Sequence, residues 1–169
     1  MSTMKNIVFT LGLLFSMMLS LASLGQNKHE VEYEQLIEMI GRQNFIFEAQ
    51  RVSPQGGRQI DVVGDNYTLK ITEEEAEAFL PFFGRAFTGS YGDTEGGIKF
   101  KELMQNVEFK KNDKKHRVIF KFTVRSPKDT YDCTLNISRG GFATLSINSQ
   151  KKSSISYTGR VYEADQENE

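Results

Sequence analysis

A mainly β fold, an antiparallel meander that closes into a small barrel or a strongly curved sheet, is what this sequence predicts. Three observations predict it. From residue 44 onward apolar residues recur at every second position, the period of strands with one buried face. Turn-forming stretches such as PQGG, NDKK, SPKD and RGG separate these runs by only a few residues, which makes successive strands antiparallel neighbours. Seven or eight such runs can be counted, about the number that closes a small barrel.

Residues 1–25 of the 169-residue chain read as a signal peptide. Lys5 precedes a run without charge from Asn6 to Gly25, and Ser23 and Gly25 are small residues at the spacing of a signal-peptidase site. The polar QNKHE that follows lacks the basic cluster of a stop-transfer anchor, so cleavage near Gly25 and no stable membrane span are expected. Residues 26–43 form an N-terminal helix, with Tyr33, Leu36, Ile37 and Ile40 on one face, Asn27 and Glu30 as a capping pair and Gly41 as the stop.

A single β domain is expected over residues 44–162. FIFEA turns Phe45, Phe47 and Ala49 inward, PQGG breaks the chain, and NYTLKI turns Tyr67, Leu69 and Ile71 inward. TEEEAEAFL then reads as one short helix near 73–80, with Thr72 and Glu75 as a capping box and Ala76, Phe79 and Leu80 as its apolar stripe; Pro81 ends it. After the fragment GGIKF comes a five-stranded meander from about Asn106 to Tyr162. Its inward residues are Val107 and Phe109; Val118, Phe120, Phe122 and Val124; Tyr131, Cys133, Leu135 and Ile137; Ala143, Leu145 and Ile147; and Ile155, Tyr157 and Val161. Residues 163–169 read as a disordered acidic tail.

The composition excludes more chemistry than it suggests. Net charge is −1, and loss of Lys5 with the leader leaves 20 basic and 22 acidic residues, too even a balance for a nucleic acid partner or an acidic membrane surface. Cys133 has no intramolecular partner in an oxidising compartment and is either a buried thiol or an intermolecular bridge; its inward position between Tyr131 and Leu135 makes it inert rather than nucleophilic. His29 and His116 have no second ligand at a metal-binding spacing, and solvation is expected for both. Glu73, Glu74 and Glu75 are explained by the first turn of the short helix, and Asp93 and Glu95, flanking a glycine-rich loop, are candidates only for a loop role or a weak cation contact. KKNDKKHR, residues 110–117, is a solvated hairpin without the interleaved aromatics that stack bases. No enzyme, cofactor or metal site is expected.

FLPFFGRAF at residues 79–87, YGDTEGGIKF after it, GGFATLSINS and ISYTGRV resemble domain of unknown function 4251, a family of uncharacterised exported proteins mainly from Bacteroidota. The resemblance spans roughly Phe45 to Val161 and implies export, an architecture similar to small lipocalin-like barrels, and no established activity. Phe82 and Phe87 stand where the family often shows tyrosine, so hydroxyl-dependent roles do not carry over at those positions.

The expected function is that of an exported, non-enzymatic binding module, periplasmic or secreted. One form takes a small apolar or amphipathic ligand, a lipid or a glycan fragment, through Arg85, Tyr91 and Tyr157. The other is a protein interaction module of the envelope that uses the loop at 88–97. FLPFFGRAF itself reads as a corner, its phenylalanines closing one end of the barrel.

Overall fold

A computed structural model describes residues 30–87 and 97–164. The predicted signal peptide, Asn27, His29, Asp93, Glu95, Tyr91 and nearly all of the 88–97 loop lie outside the described residues.

One helix, α1 (residues 30–41), precedes nine strands: β1 (Asn44–Pro54), β2 (Ile60–Asp61), β3 (Thr68–Thr72), β4 (Glu75–Leu80), β5 (Ile98–Asn112), β6 (Arg117–Arg125), β7 (Thr130–Ser138), β8 (Phe142–Ser149) and β9 (Ile155–Glu163). All pairings are antiparallel. The order β1-β3-β4-β5-β6-β7-β8-β9 closes on itself through β1 and β9, an eight-stranded barrel with β2 added against the far half of β1. Eight strands leave an interior just wide enough for side chains to fill. Phe45, Phe47, Leu69, Ile71, Ile98, Leu135, Ile137, Leu145 and Tyr157 fill it with 0% exposure, which leaves no water-sized void against them. Each such Phe, Leu or Ile contributes about 1.5–3 kcal/mol by burial.

The helix closes one end. Tyr33, Leu36 and Ile40 are buried, with Ile37 packed half-buried beside them, as the 3.6-residue spacing requires. Tyr33 anchors the helix to the β5–β6 hairpin: its hydroxyl donates to Asp113 Oδ1 at 3.0 Å, and its ring meets His116 edge-on at 5.1 Å between centroids. His116, expected to be solvated, is instead half-buried, with Nε2 3.5 Å from Glu30. Burial, then the Asp113 hydrogen bond, pushes the Tyr33 phenol up to about 12. A folded value above the unfolded value of about 10 stabilises fully below pH 10, and that stabilisation is lost as pH rises through about 12. Tyr33→Phe is therefore expected to lower stability by about 1 kcal/mol at neutral pH. Urea melts from pH 9 to 12 should show the difference between wild type and variant vanishing at the alkaline end; a constant difference contradicts it.

Four further expectations are corrected. Residues 73–80 are not a helix: Glu73, with φ of +52°, turns the chain between β3 and β4, and Thr72 pairs with Glu75. Glutamate and alanine favour helix in isolation, but strand ladders to β3 on one side and β5 on the other outweigh that preference. Ala76, Ala78 and Leu80 consequently face inward, and Phe79 faces out. GGIKF and NVEFK are not separate strands: Ile98, Lys99 and Phe100 of the first and all of the second belong to β5, a 15-residue strand with a bulge between Gln105 and Glu108. Val107 and Phe109 are not buried, being 41% and 38% exposed, because β4 pairs with β5 only as far as Leu103 and no described strand covers the rest. Glu163 and Ala164, expected in a disordered tail, belong to the barrel, since β9 runs to Glu163 and Ala164 is buried; residues 165–169 lie outside the described residues.

Candidate functional site at the capped end of the barrel

Where β4 ends, Pro81 prevents the ladder from continuing, and the chain leaves the wall to cross the barrel mouth opposite α1. Four hydrogen bonds fix this crossing. The Tyr157 hydroxyl, inside the barrel, donates to the Pro81 carbonyl at 2.7 Å. The Arg85 N–H donates to Ser153 Oγ at 3.0 Å, Ser153 N–H to the Arg85 carbonyl at 2.9 Å, and Phe87 N–H to the Lys151 carbonyl at 2.8 Å. Gly84 sits so close to the β8–β9 turn that a Cβ there would overlap Ser153 Oγ and the Phe82 ring. Residues 81–87 thus form a cap stitched to the turn before β9, with Pro81 buried and Phe82 packed on the core.

The outward side of this cap is aromatic and basic. Phe79, Phe83 and Phe87 are 46%, 48% and 66% exposed. Tyr67 stacks on Phe79 at 5.6 Å with planes 29° apart, and Lys99 Nζ lies 5.0 Å from the centre of the same ring. Lys152 Nζ lies 5.3 Å from the Phe82 ring and donates to the Gly97 carbonyl at 2.6 Å. The Arg85 side chain is exposed on the cap between Phe83 and Phe87 in sequence; its backbone is fixed, and no described carboxylate pairs with its guanidinium. Such a surface can offer ring faces to an apolar or sugar surface and cations to an acidic or hydroxylated group.

Of the three predicted ligand residues, Arg85 lies on the cap, Tyr157 lies beneath it, and Tyr91 lies outside the described residues. Tyr157 is 0% exposed, and its hydroxyl is engaged by Pro81; burial holds its phenol far above the ordinary tyrosine range. Sequence reasoning missed Phe79, Tyr67, Lys99 and Lys152 because it wound Phe79 into a helix. The alternation E-A-E-A-F-L was the available signal, and as a strand it puts Phe79 on the outer face beside Lys99, its partner on β5.

Elsewhere the chemistry is sparse. Cys133 is buried, and burial followed by the nearby Asp132 raises its thiol far above the ordinary range. Among the described residues no three His, Cys, Asp or Glu side chains group as metal ligands, and no helix is long and apolar enough to cross a membrane. Two further concavities are open to solvent, one on the outer wall at Asn136, Thr144 and Thr158, the other between α1 and the Arg139–Gly141 turn.

A family model described as domain of unknown function (DUF4251) matches residues 27–161. In structure the chain is similar to a DUF4251 family protein from Bacteroides eggerthii DSM 20697, with a TM-score of 0.61 and 16% identity over 82% of this chain and 91% of that one. At that identity the likeness speaks for the fold alone. Comparison with curated proteins finds no match.

Proposed function

We propose, for a chain that belongs to the DUF4251 family, the role of a non-enzymatic binding module of the cell envelope. It is exported with cleavage near Gly25 and takes a small amphipathic molecule, an acyl lipid or a glycan fragment with an acidic or hydroxylated head, on the outer surface of its cap. The observation that carries this reading is the exposure of Phe83, Arg85 and Phe87 on a segment whose backbone is pinned, following the exposed Phe79 at the end of β4. Aromatic side chains at such exposure cluster where another molecule covers them. The zero exposure of the inward Phe45, Phe47, Leu69, Ile71, Leu135 and Leu145 supports an outer site over an inner one. The inert setting of Cys133 supports a role without covalent catalysis.

Native mass spectrometry of protein purified from its own host, with titration of phosphatidylglycerol vesicles and of soluble glycan fragments, tests the reading. Covering half of a phenyl ring contributes about 1–2 kcal/mol, so Phe83→Ser with Phe87→Ser should weaken binding at least tenfold and leave the thermal melt nearly unchanged. A chain that carries no bound species and titrates neither class of ligand sinks the proposal. So does a double variant that binds as wild type does.

A further inference from the structure

The second half of β5 is a strand with one side open. β4 pairs with β5 over residues 98–103, the last link being Met104 N–H to the Glu74 carbonyl at 2.7 Å, whereas β6 pairs as far as Asn112 on the opposite side. Every residue from 105 to 115 is exposed. Backbone groups of an antiparallel strand point alternately to its two neighbours. The His116 carbonyl accepts from Arg139 N–H on the β7 side, so Arg117, Ile119 and Lys121 face β5 and bond Asn112, Lys110 and Glu108. Val107, Phe109 and Lys111 therefore direct their N–H and C=O groups outward, and among the described residues nothing receives them. Unpaired edges invite another strand.

We infer that this edge pairs with the same edge of a second copy of the chain, antiparallel about a twofold axis through Phe109. The occupant is chosen by charge. A twofold at Phe109 sets Val107 opposite Lys111 of the second copy and Glu108 opposite its Lys110, so the order Glu-Phe-Lys is complementary to itself. Glu108 and Lys110 already lie on one face, 2.7 Å apart within the strand, and pairing two copies makes a four-charge ladder of alternating sign. On the other face the half-exposed Phe109 rings of the two copies meet. The bulge at Asn106, with φ of +52°, interrupts the ladder just before the open stretch and limits how far a mismatched strand can run. The contact is isologous and closes at two copies.

Sedimentation of the purified chain over a concentration series measures it. Wild type should be dimeric in a concentration-dependent way. Phe109→Pro deletes an N–H that points only at the second copy, so it should abolish the dimer and leave the circular dichroism spectrum of the barrel intact. Glu108→Lys places like charges opposite one another at both ends of the twofold and should weaken the dimer about tenfold. Combining it with Lys110→Glu reverses every pair and should restore it. A monomer at all concentrations overturns the inference, and so does a dimer that tolerates both Phe109→Pro and Glu108→Lys.

Discussion

Gly159→Ala should unfold the barrel or cost it about 3–5 kcal/mol, a large share of the roughly 5–15 kcal/mol by which domains are stable. Gly159 lies on β9 opposite Ala49, where the β1–β9 ladder slips by one residue between Ala49 and Arg51. The slip presses the Glu48 carbonyl against the glycine, and a Cβ would overlap that oxygen and lie 3.1 Å from Ala49 Cα. Both obstacles are backbone, so no rotamer change relieves them. The only movement available is separation of β1 from β9, and that pair is the seam that closes the barrel. Gly56→Ala is the control: its φ is +74° with nothing within 4 Å of an added Cβ, so it bears only the conformational penalty of about 1 kcal/mol. Urea unfolding of both variants decides the matter. A Gly159→Ala protein as stable as Gly56→Ala would show that the seam is looser than its geometry implies.

The strands that were legible in the sequence are those whose alternation runs without interruption. Val118, Phe120, Phe122 and Val124 keep one parity through β6, and their partners on β7 keep theirs, so pattern and register agree. β5 hides its length by changing parity: Ile98, Phe100 and Met104 face inward at even positions, and the extra residue at the bulge moves Phe109, opposite Phe120, to an odd one. A reader who counts by twos sees two strands where the chain makes one. β4 was hidden for another reason, because E-A-E-A-F-L satisfies both a short helix and a strand, and only the ladders on either side choose. At the candidate site, the cap's role as a corner and the placement of Arg85 on it were readable from proline and glycine; of the phenylalanines expected to close the barrel end only Phe82 packs on the core, while Phe79, Phe83 and Phe87 are exposed. The bond that fastens it was not, since Tyr157 and Pro81 are 76 residues apart and the acceptor is a backbone carbonyl.

That bond yields the second large effect. Tyr157→Ala should destabilise by about 3–5 kcal/mol, as expected for removing a wholly buried ring from a packed interior. Tyr157→Phe keeps the ring and leaves the buried Pro81 carbonyl without its donor, at a cost of about 1–3 kcal/mol. The two variants separate core from cap. Loss of the ring weakens the whole barrel, so amides in β6 and β7 should exchange faster together with the rest. Loss of the hydroxyl alone frees the start of the cap, so the Arg85 and Phe87 amides, held by Ser153 and Lys151, should exchange faster than those strands do. Because Phe83, Arg85 and Phe87 are displayed by this same segment, Tyr157→Phe should also weaken ligand binding without touching any exposed group. If exchange at Arg85 and Phe87 is unchanged in Tyr157→Phe, the cap is held by its β8–β9 stitches alone, and the hydroxyl does not govern how the aromatic surface is presented.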